Sequence, residues 1–80
     1  MDTSERDALM SVLYAFERFW IEAMKQKHFV HHPEDAPHRV QEIFAEEAQA
    51  VFHPLIDALR DGQPLEEHAQ ALLQVVNRLI

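Results

Sequence analysis

Apolar residues recur at steps of three and four along most of this chain, and only an α-helix gathers residues with that spacing on one face. The first such repeat comprises Leu9, Val12, Leu13, Phe16, Phe19, Trp20, Ala23 and Met24. The chain has only one glycine in 80 residues, which is few for a sheet protein with tight turns. The pattern therefore predicts an all-α protein.

The first helix is predicted from about Glu5 to Lys27. Ser4 can accept a hydrogen bond from a free backbone amide, and Asp7 follows three residues later, as in a variant of the capping box. Residues 28–36 are interpreted as the connection, because Pro33 and Pro37 each disfavour helical geometry in the residue before them. Asp35 is the predicted cap of the next helix.

The second helix is predicted from Pro37 to Asp61, kinked or broken at Pro54, because proline removes a backbone donor and clashes with the preceding turn. The polar face keeps one register on both sides of Pro54, which favours a single kinked helix. Gly62 suits the left-handed residue that follows a helix. A third helix over residues 64–79 completes an antiparallel three-helix bundle, a single domain spanning residues 1–80.

The first helix carries more apolar surface than one core face needs. Its main face covers an arc of about 140°, and Met10, Tyr14 and Ile21 fall outside this arc, with Glu17 among them. One interpretation is a second contact surface, which makes these four residues the candidate partner-binding site, for another protein or for a second copy in a homodimer. The other interpretation is a helix packed between two neighbours.

The net charge of −7 and the scattering of the seven basic residues along the chain argue against nucleic-acid binding. No apolar run is long enough for a membrane span, and the polar, acidic start does not resemble a secretory signal. The chain has no cysteine, which fits a reducing compartment. We expect a cytoplasmic protein with no membrane partner.

Four of the six histidines are clustered near the first connection, together with two carboxylates. They are His28, His31, His32 and His38, with Glu34 and Asp35. These groups can bind zinc, but their spacing matches no structural zinc pattern, so a solvated polar loop is the simpler interpretation. A third interpretation, between metal binding and a simple polar loop, is a response to pH, because histidine side chains titrate near neutral pH. His68, within the apolar face of the third helix, is interpreted as a partly buried boundary residue.

Catalysis has little support in the sequence, which lacks a glycine-rich phosphate loop, and no cofactor is expected. The acidic side chains Glu42, Glu46 and Asp57 are interpreted as a solvated helix face. The favoured function is a small acidic protein-binding module that regulates or inhibits a larger protein by occupying its surface. The alternative is a metal- or pH-responsive protein that uses the loop from His28 to His38.

Overall fold

The computed structural model describes residues 2–80 and consists of three α-helices, α1 Thr3–His31, α2 Pro37–Arg60 and α3 Glu66–Asn77, with no strand in this part of the chain. Helix α2 packs against both α1 and α3. Leu65, just before α3, lines the same small cavity as Arg6 near the start of α1. Lys27 near the end of α1 donates to the carbonyl of Arg78 at 2.7 Å. Helix α3 therefore runs in the direction of α1, and the predicted helical bundle is confirmed.

Both ends of α1 differ from the prediction. The cap is Asp2 rather than Ser4: the Oδ1 atom of Asp2 accepts a hydrogen bond of 2.8 Å from the backbone amide of Glu5. At the other end α1 continues beyond Lys27 to His31. Phe29 is packed against the core, so a tertiary contact stabilises a final turn that the sequence assigned to the connection.

Helix α2 begins with Pro37 in its first turn, as predicted, but its cap is Ala36, which supplies no side-chain hydrogen bond. The predicted cap, Asp35, instead places its Oδ2 atom 2.6 Å from Nε2 of His28. The carboxylate of Asp35, which could have capped α2, thus links the segment between the two helices to the last turn of α1.

Helix α2 is unbroken at Pro54, so the alternative of two separate helices is wrong. Pro54 is exposed, whereas Phe52, Leu55 and Ile56 are buried on both sides of it. Apolar packing therefore holds the segments before and after Pro54 in one helix, despite the backbone hydrogen bond that proline removes.

The end of α2 confirms the role predicted for Gly62, whose φ of 69° lies in the left-handed region. The amide of Gln63 donates to the carbonyl of Ala58 at 2.8 Å, and that of Gly62 donates to Leu59 at 3.4 Å. These two bonds form a Schellman motif. Helix α3 is shorter than predicted, since it begins at Glu66 rather than Pro64 and ends at Asn77.

The core lies between α1 and α2, with Val75 of α3 completing it. Its largest fully buried side chains are those of Trp20, Phe52 and Ile56. His68 is partly buried, as predicted. Within residues 2–80, no helix combines the length and the hydropathy that a membrane crossing requires.

Candidate protein-binding surface

The four candidate partner-binding residues lie mainly on the side of α1 that faces the core. Ile21 is buried, and Met10 is partly buried against the core. The side chain of Glu17 is only 14% exposed, and its Oε2 atom lies 3.0 Å from Nε2 of His53 on α2. Only Tyr14, with 43% exposure, offers a large accessible area. Their role in binding a partner stays a prediction, but most of these four residues belong to the contact between α1 and α2.

The positions of the neighbouring helices explain this arrangement. Helix α2 covers the side of α1 that carries Ile21 and Met24, because that contact buries most apolar area. Helix α3 contacts α1 through Trp20 and leaves the edge with Phe19 uncovered.

That uncovered edge carries a row of apolar side chains, which we call the outer stripe. It consists of the apolar residues Leu9, Val12, Phe16, Phe19, Ala23 and Val30, together with the polar Gln26 in the same register. Val12 is 59% exposed, Phe19 62% and Val30 75%. The residues are separated alternately by three and four positions, which is the spacing of helices that pack lengthwise against another helix.

Sequence reasoning missed the outer stripe as a surface, because it assigned Leu9, Val12 and Phe19 to the core. The structure exposes all three. The available signal was the surplus of apolar residues on the first helix, which exceeds what one core face needs. Periodicity alone identifies residues that share a face but not the neighbour that covers it.

Helix α3 borders the outer stripe on one side and the core lies beneath it. The indole nitrogen of Trp20 donates to the carbonyl of Val75 at 2.8 Å, and Trp20 follows Phe19 directly. The ring of Phe16 lies 5.8 Å from that of Phe52 in the core and 6.1 Å from that of Phe19 at the surface, measured between centroids. The stripe is therefore an outward extension of the core rather than a set of isolated apolar residues.

The clustered histidines contact different carboxylates. His28 pairs with Asp35 at 2.6 Å, while Nδ1 of His32 lies 3.7 Å from Oε1 of Glu34. The rings of His28 and His32 are 5.0 Å apart. Among residues 2–80, no three or more histidine or carboxylate side chains are placed so that they could hold a metal ion. The region is a hydrogen-bonded, partly exposed connection around His28.

At the far end of α2, the pKa of Arg60 is raised above its ordinary value. The main cause is its hydrogen bond to Asp61, at 3.3 Å from Nε to Oδ1, followed by the negative charges of Asp61 and Asp57. Arg60 is exposed, and an arginine is positively charged near neutral pH in any case. The shift therefore marks a local cluster of charges.

Comparison with known proteins identified no relative of this chain. No protein-family model matches the chain, and no curated protein or solved structure shows significant similarity to it.

Proposed function

We propose that this protein is a small acidic protein-binding module that regulates or inhibits a larger protein by occupying its surface, without catalysis of its own. The observation that carries the proposal is the outer stripe. Single exposed apolar residues are ordinary on protein surfaces, but several exposed apolar residues on one helix face are typical of an interaction site. Leu9, Val12, Phe19 and Val30 supply such a row along one helix.

The outer stripe suits insertion of α1 into an apolar groove of the partner, the mode in which one helix face supplies the anchoring side chains. Phe19 lies near the middle of the stripe and is the aromatic anchor of this contact, since aromatic residues near the centre of an interface contribute most to affinity. The net charge of −7 favours a partner with basic groups around its groove and speeds their encounter.

The test is affinity capture from a host extract, with the wild-type chain compared with a double variant, Val12→Ser with Phe19→Ser. Both positions are exposed, so the variant should remain folded, which circular dichroism would verify. The matched control is Ile43→Ser on α2, which is 44% exposed and lies outside the stripe. The wild type and the control should retain one larger protein that the double variant loses.

The activity of that larger protein is then measured with and without the small chain, because regulation requires a change in activity. Equal capture by all three chains would contradict the proposed surface. Capture without any effect on activity would contradict regulation but preserve protein binding.

A second candidate is a proton-responsive protein, favoured by the 2.6 Å contact between His28 and Asp35. This contact joins the last turn of α1 to the connection before α2, where His32 and Glu34 also lie. Because histidine titrates near neutral pH, a change in protonation would alter the contact and the connection. In a His32→Gln background, the nuclear magnetic resonance signals of Asp35 and Ala36 should then shift between pH 5 and 8, and much less when His28→Gln is added.

A further inference from the structure

We propose that a cavity beside the start of α2 is a binding site for a small amphipathic carboxylate, whose charged end pairs with Arg39 and whose apolar part packs on Ile43 and Phe44. The cavity has a volume of about 280 Å³. These three residues line it together with His28 of α1, Asp35 and Ala36 of the connection, and Val40. The site uses other residues than the outer stripe and goes beyond the proposed protein binding.

The inner wall of the cavity is apolar. Val40 and Phe44 are buried one turn apart on α2, with 2% and 8% exposure. The ring of His28 meets that of Phe44 edge-on, at 5.9 Å between centroids. Ile43 is 44% exposed, and an apolar group in the cavity would remove part of this side chain from water. An apolar cavity with a few polar groups is the usual form of a small-molecule site.

The volume of the cavity limits the size of the ligand. Small-molecule sites commonly measure about 300–1,000 Å³, and this cavity lies just below that range. A molecule with one aromatic ring or a short alkyl chain fits, whereas larger ligands such as nucleotides do not. The ligand is therefore a small molecule rather than a segment of another protein.

The unpaired charge at the cavity is positive. Arg39 has no ion-pair partner among residues 2–80, whereas Arg60 and Arg78 each pair with carboxylates. The acidic residue of the wall, Asp35, already lies 2.6 Å from Nε2 of His28. A guanidinium group binds a carboxylate through two parallel N–H donors. An anionic ligand therefore gives Arg39 a partner that the chain itself does not supply.

A cationic ligand fits this cavity less well. It would compete with His28 for Asp35, and the charge of Arg39 would repel it. A neutral ligand would pack on the same apolar wall but would leave the guanidinium of Arg39 without a carboxylate. The charges of the lining residues therefore favour an anion.

The charge of the surrounding segment is compatible with an anion. The whole chain has a net charge of −7, which repels anions in general. Residues 27–40, however, hold two basic residues, Lys27 and Arg39, against two acidic ones, Glu34 and Asp35. This end of the molecule therefore carries no net charge when its histidines are neutral, and Arg39 sets the local sign at the cavity.

A nuclear magnetic resonance titration of the isotope-labelled chain tests the site. The anionic probes are the phenylacetate ion and hexanoate, and the controls are their neutral amides and the cation of phenethylamine. Either carboxylate at millimolar concentration should shift the backbone signals of Arg39, Ile43 and Phe44 to saturation and leave those of α3 unchanged. The amides and the cation should bind about three- to tenfold more weakly, since they lose the charged pair at an exposed arginine.

Three variants separate the charge from the shape of the cavity. Arg39→Gln should weaken the binding of phenylacetate by the same factor. Arg18→Gln is the matched control, because it removes one positive charge at another exposed position, and it should bind phenylacetate as the wild type does. Ala36→Leu enlarges an exposed residue of the wall and should abolish saturation by filling the cavity. Unchanged signals far from the cavity would verify that each variant is folded.

Two outcomes would overturn the proposal. One is the absence of saturable shifts at Arg39, Ile43 and Phe44 with both carboxylates. The other is binding of phenylacetate that Arg39→Gln leaves unchanged or that the neutral amide equals. The variant Val12→Ser with Phe19→Ser, which tests the outer stripe, should bind phenylacetate as the wild type does, so the failure of one proposal leaves the other intact.

Discussion

The indole nitrogen of Trp20 donates a 2.8 Å hydrogen bond to the backbone carbonyl of Val75, and the indole ring has no exposed surface. The bond links α1 to α3, while the ring of Phe44 on α2 packs edge-on against the indole at 6.1 Å between centroids. The guanidinium of Arg78 lies over the same indole at 5.6 Å. All three helices therefore meet at one side chain.

Truncation of this side chain should be severely destabilising. Trp20→Ala is expected to lower the free energy of unfolding by about 3–5 kcal/mol, because it leaves a large cavity. That loss is a large share of the stability of a small domain. Urea unfolding followed by circular dichroism measures it, since the substitution removes the only tryptophan. An unchanged unfolding midpoint would contradict the central position of the ring.

Trp20→Phe separates the hydrogen bond from the packing. The substitution keeps most of the apolar volume but leaves the carbonyl of Val75 without its indole donor. We expect a loss of about 1–3 kcal/mol, the usual cost of a buried group that loses its hydrogen bond. No measurable loss in Trp20→Phe would show instead that ring volume dominates.

The contact of Glu17 with His53 should be a weak but measurable interaction. The Oε2 atom of Glu17 is buried and lacks hydrogen-bond geometry with any described group, although Nε2 of His53 lies 3.0 Å away. A double-mutant cycle with Glu17→Gln and His53→Gln should give a coupling of about 0.5–1 kcal/mol, because the histidine is half exposed. The coupling should decrease in 1 M salt. Additive effects of the two substitutions would show that the contact contributes nothing.

Replacement of the only glycine should destabilise the end of α2. Gly62→Ala is expected to cost about 1 kcal/mol, because a φ of 69° is unfavourable for a residue with a side chain. No atom lies within 4 Å of an added Cβ, so the cost comes from the backbone alone. Urea unfolding of Gly62→Ala beside Ser11→Ala, an exposed helical control, measures the difference. Equal midpoints would indicate that this residue does not hold the left-handed conformation.

Zinc should leave the melting temperature of the protein unchanged. His28 contacts Asp35 and His32 lies near Glu34, whereas a zinc ion needs three or four convergent protein ligands. Melting curves with and without excess Zn²⁺ should coincide for the wild type and for His28→Ala with His32→Ala. A stoichiometric rise in the wild type that the double variant loses would reveal a metal site.

Much of the fold could be predicted from local chemistry in the sequence. The three-and-four spacing predicted three helices, Pro37 and Gly62 marked one start and one end, and the register across Pro54 favoured an unbroken α2. These features depend on residues that are close together in the chain. Backbone geometry and helical periodicity are therefore sufficient to predict them.

The ends of α1, and the choice of which α1 face points to the core, depended on contacts that neighbouring residues in the sequence do not specify. Asp2 and Ser4 are both good caps, and packing of Phe29 extends α1 beyond the predicted end. Both edges of α1 are apolar, so periodicity could not decide whether Ile21 or Phe19 faces inward. The tertiary structure decided it, because α2 packs over the edge with Ile21, whereas α3 contacts α1 through Trp20 and leaves Phe19 62% exposed.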